Sequence, residues 1–214
     1  IPIAEETGQI WALGTWVLER ALEQSAEWRK RYARDITMAV NVSPRQISHP
    51  LLARTVETAL VDAHVPATCL ELEITESCMI EAGGVARRVL ERLRADGVHV
   101  AIDDFGTGYS SLGHLSQLPI DAIKIDRSFA SGLPHDAAAR GVVSAVLAMA
   151  RSLRARTIAE GIENEGQLTM LLALGCDEGQ GYLFSKPLEA EDFEIVLANG
   201  YVSRYRDARD RAFA

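Results

Sequence analysis

Oxygen-bearing side chains recur at the ends of short apolar runs in this sequence. Asn41 closes one run; Glu73, Thr75 and Glu76 close a second; Asp103 and Asp104 close a third. Lys124 and Asp126 close a fourth, Glu160 and Glu163 follow a fifth, and Gln180 precedes a sixth. Asn, Asp and Glu without His or Cys beside them are hard donors, suited to Mg2+ or Mn2+ and not to a structural zinc. Adjacent Asp103 and Asp104 repel each other unless a cation lies between them. In strand register Asp103 points inward, and Asp104 reaches a second ion as the chain turns out of the strand. Two cations ~3.5–4 Å apart lower the pKa of a shared water and hold the oxygens of an in-line phosphoryl displacement. Lys124 alternates with Ile123 and Ile125, so it faces the interior with Asp126. It serves there either as a structural ion-pair partner or as the group that orients water and neutralises developing charge. The carboxylates expected around it favour the second role. Asp126, ahead of Arg127 and Ser128, reads equally well as a helix cap.

The segment FGTGYSSL (105–112) follows the paired aspartates. Gly106 and Gly108 permit a tight or mobile turn beside the candidate ligands, suited to gripping a substrate. The five histidines, His49, His64, His99, His114 and His135, stand at no metal-binding spacing.

The elements that must position these residues alternate. Strand candidates are Ile36–Val42, Cys69–Thr75, Val98–Asp103, Ala122–Asp126, Arg156–Glu160 and Gly181–Phe184. Helical patterns separate them at Gly8–Glu27, Leu51–Ala63, Gly84–Ala95, Asp136–Leu153, Gly166–Leu174 and Asp192–Asn199. Such alternation means a parallel sheet, open or closed into a barrel. In a barrel, every polar residue named above lies at the carboxyl end of the strands, where active sites are assembled from several strands at once. Six strands are legible where a (β/α)8 barrel has eight.

Length and composition fit one domain. The chain has 214 residues, 48% hydrophobic and 24% charged, with a net charge of −8. That charge does not attract a nucleic acid polymer or an anionic membrane surface, so a phosphate-bearing ligand needs local cations. No apolar run reaches the ~20 residues of a membrane span. Three cysteines without CxxC spacing, Cys69, Cys78 and Cys176, give no disulfide framework and fit a reducing cytoplasm; Cys69 and Cys78, in or beside apolar runs, read as buried thiols.

The blocks NVSPRQ (41–46), ELEITES (71–77), DDFGTGYSSL (103–112), LPIDAIKIDRSF (118–129), AEGIE (159–163) and GCDEGQGYLFSKP (175–187) follow one another in an order that resembles the EAL domain family. The resemblance runs to about residue 198, and 199–214 reads as a tail or last helix. It implies an α/β fold, a modified TIM barrel with one antiparallel strand. It implies hydrolysis of cyclic di-GMP to linear pGpG with two Mg2+ or Mn2+ ions. By the same resemblance Asn41, Glu73 and Asp103 hold one metal, Asp103 bridges, and Asp104 holds the other. Lys124 positions the attacking water, and Glu160 and Gln180 complete the polar site. Asn41, Asp126 and Gln180 face the substrate, and Glu76 anchors the DDFGTGYSSL loop, through which a homodimer forms. Upstream sensory or GGDEF domains are the expected neighbours, in a parent protein that is cytoplasmic or membrane-anchored. The family's EALxR motif precedes IPIAEETG and is not within these residues, so the barrel's first strand is expected to be absent from this chain. The competing expectation is an EAL domain that binds cyclic di-GMP without cleaving it.

Overall fold

The computed structural model describes residues 1–106 and 119–199. The chain divides into two compact units, Ile1–Ala122 and Ile123–Ala214.

The first unit opens with α1 (Pro2–Glu6) and α2 (Ile10–Tyr32). α2 buries Ile10, Leu18, Leu22, Ser25 and Trp28 along one stripe. Its last turn carries Arg29, Lys30 and Arg31, where cations suit the carbonyl end of a helix. β1 (Met38–Asn41) and α3 (Pro44–Ile47) follow. α3 is a single turn made by a capping box: Ser43 Oγ accepts from the Gln46 N–H, and Gln46 Oε1 accepts from the Ser43 N–H. A side chain at Gly14 would collide with the Gln46 amide, so glycine is what lets α2 lie against α3. Then come α4 (Leu52–Ala63), a 3-10 turn (Ala67–Cys69), β2 (Leu70–Thr75), α5 (Glu76–Ala95) and β3 (His99–Phe105).

β1 pairs parallel with β2, and β2 with β3. Asn41 lies opposite Glu73, Glu73 opposite Ala101, and Thr75 opposite Asp103. Side chains alternate along a strand. One face therefore carries Asn41, Glu71, Glu73, Thr75 and Asp103; the other carries Val40, Leu70, Leu72, Ile74, Val100 and Ile102. The apolar face is fully covered, with α5 packed on β2 and β3. Each buried Leu or Ile there contributes about 1.5–3 kcal/mol.

The second unit holds β4 (Ala122–Ile125, starting at the boundary), α6 (Arg127–Ser131), α7 (Ala137–Leu153), β5 (Arg156–Ala159), α8 (Glu165–Leu174), β6 (Glu178–Gly179) and α9 (Ala190–Asn199). β5 pairs parallel with β6, Ile158 opposite Glu178 and Ala159 opposite Gly179. The Glu160 N–H donates to Ile125 O at 3.0 Å, joining the ends of β4 and β5. Three helices end on non-glycine residues in the left-handed region: α2 at Ala33 (φ 49), α4 at His64 (φ 56) and α7 at Arg154 (φ 58). α8 ends on Gly175 at φ 82.

This is an α/β fold of parallel strands, as expected. The antiparallel strand is not among the pairings of the described residues. The sixth strand is a correction: Gly181–Phe184, an apolar run, forms a turn, and the strand is the two-residue Glu178–Gly179. A Cβ at Gly181 would strike the backbone N and O of Ile162, and the Phe184 and Ser185 N–H groups donate back to Gly181 O, so the chain turns there instead of extending. Gln180 thus follows the sixth strand and does not precede it. α5 starts at Glu76, eight residues before the expected Gly84, because the Gly83–Gly84 pair is carried inside a packed helix. α1, α3 and α6 are short elements that periodicity does not reveal.

Candidate functional site

In the first unit the register builds the site. Asn41, at the end of β1, is exposed; Glu73, opposite it on β2, is 8% exposed. Asp103 is half-buried and Asp104 exposed, and carboxylate oxygens of the two lie within 4.8 Å of each other. Asp104 has φ 52. That left-handed turn removes it from strand alternation, which is how consecutive residues come to present their carboxylates together. This pair, with Glu73 and Asn41 on the same polar face, is a hard-oxygen set that fits Mg2+ or Mn2+.

Glu76 takes another role. It is the first residue of α5, 6% exposed, and its Oε2 accepts from the Gly106 N–H at 3.3 Å. Its other oxygen is buried without a hydrogen-bond partner among the described residues. Residues 107–112 of the loop that Glu76 is expected to anchor lie outside the described residues.

In the second unit Lys124 and Glu160 meet at 2.7 Å, with side chains 5% and 17% exposed. Gln180 Nε2 donates to the same Glu160 Oε1 at 2.8 Å. Three predicted residues from three strand ends thus form one network. Lys124 brings a buried ammonium, Glu160 the counter-charge that makes its burial tolerable, and Gln180 a neutral donor that fixes the carboxylate plane. Asp126 does not join it. Its Oδ1 accepts from the Ser128 N–H at 3.0 Å, capping α6. Burial pushes the Asp126 carboxyl up, but hydrogen bonds from Ser128 and Arg127 outweigh this and hold it below its ordinary value. The Glu163 N–H donates to Gln167 Oε1 at 2.7 Å, within the capping box that starts α8.

Beside Glu160 and Gln180 opens a cleft of about 470 Å³, lined also by Arg127, Glu163, Tyr182 and Lys186. Lys186 lies 5.9 Å from the Tyr182 ring, a cation–π spacing. Arg127, Tyr182 and Lys186 were not picked out from the sequence. Their sequence signal is slight: Tyr182 and Lys186 follow Gln180 within six residues, and Arg127 directly follows Asp126. A second cleft of about 550 Å³ lies between α2 and α4 and includes none of the strand-end residues. The three cysteines are buried thiols, and burial raises the Cys176 thiol above its ordinary value.

Parallel strands whose carboxyl ends carry oxygen donors are a framework on which α/β enzymes build metal-assisted sites. The chain belongs to the EAL domain family, whose model matches residues 1–187. It is 42% identical over 198 residues, 92% of this chain, to the bifunctional diguanylate cyclase/cyclic di-GMP phosphodiesterase MucR of Pseudomonas aeruginosa. It is 38% identical over 194 residues, 91% of this chain, to the cyclic di-GMP phosphodiesterase PdeR of Escherichia coli. Each match covers 29% of the relative's own length. The solved MucR phosphodiesterase in complex with c-di-GMP superposes with a TM-score of 0.84 at 42% identity, covering 90% of this chain and 78% of that one. The α/β fold of parallel strands is consistent with the barrel-like fold of that family.

Proposed function

We propose that this chain is the catalytic part of a cyclic di-GMP phosphodiesterase, opening the cyclic dinucleotide to linear pGpG. The observation that carries it is the Asp103–Asp104 pair at the end of β3, in a family whose named relatives include phosphodiesterases for that substrate. Asn41, Glu73, Asp103 and Asp104 would hold two Mg2+ or Mn2+ ions, with Asp103 shared. Bound there, the ions would supply Lewis acidity toward the phosphodiester.

The chain's own groups do the rest. Lys124 offers N–H donors and a positive charge that gains strength as the phosphate becomes more negative. Glu160 holds the ammonium in place, and Gln180 holds Glu160. Asn41 and Gln180 present amide donors to the substrate, and Asp126 is kept in this reading as a substrate neighbour beside its capping role. Glu76 ties Gly106, and with it the start of the 103–112 segment, to α5. The reading extends to a barrel with one antiparallel strand whose first strand carries the EALxR motif, and to a module ending near residue 198 with 199–214 as its tail. It includes a homodimer through the 103–112 segment and upstream sensory or GGDEF domains in a cytoplasmic or membrane-anchored parent.

The test is pGpG formation by the full-length protein with Mg2+ or Mn2+, set against Asp103→Asn. A neutral amide cannot bridge two cations with comparable strength, and turnover falls by more than a hundredfold. A loss within about tenfold, a barrier change of ~1.4 kcal/mol, would overturn the assignment.

A further inference from the structure

We propose that Asp177 and Thr157 are positioning residues that set the register of β6, and so place Gln180 against Glu160; the proposal rests on the reading of that network as part of the site. β6 has two residues, and so short a ladder specifies its register weakly. A slip of one residue would turn Gln180 to the opposite face and leave Glu160 held by Lys124 without it.

The lock lies in the residue just before the strand. Asp177 Oδ2 accepts from both the Thr157 N–H and the Thr157 Oγ1–H at 2.9 Å, and the Asp177 N–H donates to Thr157 Oγ1 at 3.1 Å. Thr157 is 2% exposed, so its N–H and hydroxyl have Asp177 in place of water, while Asp177 itself lies at the surface. Cys176 Sγ adds a bond to Glu178 O at 3.3 Å. Thr157 stands three residues before Glu160, and Asp177 three before Gln180. Two extended segments of equal length run side by side, about 10 Å at the usual strand rise, so pinning one end levels the other. At the far end the Gln180 N–H donates to Ala159 O at 2.8 Å and the Ile162 N–H to Gln180 O at 3.1 Å.

The first unit repeats the device. Asp121, the residue before β4, accepts the Val100 N–H at 2.9 Å and donates its own N–H to Val100 O at 2.8 Å. Val100 is the second residue of β3, as Thr157 is the second of β5. Two aspartates in equivalent places doing the same thing mark register control and not an isolated turn.

The experiment uses the full-length protein and two readouts, backbone amide exchange and turnover. In Thr157→Val, which keeps the side-chain shape and removes the hydroxyl, exchange at the Gln180 and Ile162 amides accelerates at least about tenfold, while Val146 and Leu147 in α7 keep their protection. Turnover falls by about tenfold with little change in KM, and Thr157→Ser restores both. In a Gln180→Ala background Thr157→Val costs less than about twofold, because the position it sets is already empty of its donor. Unchanged exchange at Gln180, or the same tenfold loss in the Gln180→Ala background, overturns the proposal. Should Thr157→Val fail to fold, Asp177→Asn, which retains one acceptor for the Thr157 N–H, is read by the same criteria. If the unaltered protein makes no pGpG, the phosphodiesterase reading fails alone, and the exchange arm still decides the register claim.

Discussion

Lys124 shows how a buried charge is made tolerable and useful at once. Its ammonium is held at 2.7 Å by Glu160, whose bonding oxygen also takes the Gln180 amide. Lys124→Met leaves that carboxylate without its cation, and breaking such a pair costs about 3–5 kcal/mol of stability. A shift of that size is read by chemical denaturation, and turnover falls by about a hundredfold or more as a charge aimed at the phosphate is lost. Adding Glu160→Gln to Lys124→Met recovers most of the stability and none of the activity. Equal stability of Lys124→Met and the parent would refute the pairing. Asp126 behaves differently. Its folded-state carboxyl is held below the ordinary value by the Ser128 and Arg127 hydrogen bonds that outweigh burial. A depressed carboxyl stabilises above the unfolded pKa of about 3.9, and that contribution is lost as pH falls through the folded value. Asp126→Ala therefore costs about 1 kcal/mol near neutral pH, and the difference shrinks below about pH 4. A pH-independent difference would assign Asp126 some role other than its charged cap.

Among the elements, β6 is the instructive failure of pattern reading. Its two residues, Glu178 and Gly179, are exposed and carry no apolar signal, whereas Gly181–Phe184, one residue further on, look like a strand and are a turn. What makes the strand is a contact twenty residues distant, Asp177 with Thr157, which no local period records. By contrast β2 was plain, because LEIT alternates acid with aliphatic and every residue of it has a partner to pack on. α3 had a readable signal, Ser43 and Pro44 followed by Gln46, that apolar periodicity passes over. Of the site, the residue types were legible, because carboxylates and a lysine at strand ends have few structural excuses. Their grouping was legible only in part, since Asp126 turned inward to its own helix. Gly181 marks the boundary of β6, and Gly181→Ala forces the backbone of Ile162 to move. A loss of about 2 kcal/mol or more is expected, at the upper end of what strained glycine sites cost, with pGpG formation falling in parallel because Gln180 is the adjacent residue. Unchanged melting and unchanged turnover would mean the close approach is relieved without disturbing the site.

At the scale of the whole molecule, polar and apolar work is divided between the two faces of the strands. In the first unit the apolar face is closed by helices, and the opposite face spends its burial on Glu71 and Glu73, at 4% and 8% exposure. That choice costs stability and places oxygen donors on this face; under the function proposed above, a chain of net charge −8 cannot rely on its surface field to gather an anionic substrate. Positive charge is instead local, at Lys124 and, in the second unit's cleft, at Arg127 and Lys186.

The left-handed ends of α2, α4 and α7 hold an untapped reserve. Ala33, His64 and Arg154 each occupy a backbone region that suits glycine, with φ of 49, 56 and 58. Ala33→Gly, His64→Gly and Arg154→Gly should each relieve about 0.5–1 kcal/mol, the typical penalty for a side chain at such a helix end. None of the three lies among the strand-end donors, so the triple variant should melt several degrees higher with pGpG formation unaltered. Such a background would carry Lys124→Met and Gly181→Ala as folded proteins, and the chemistry of those positions could then be measured apart from their burden on folding. A triple variant no more stable than its parent would show that side-chain contacts at the three helix ends already offset the strain.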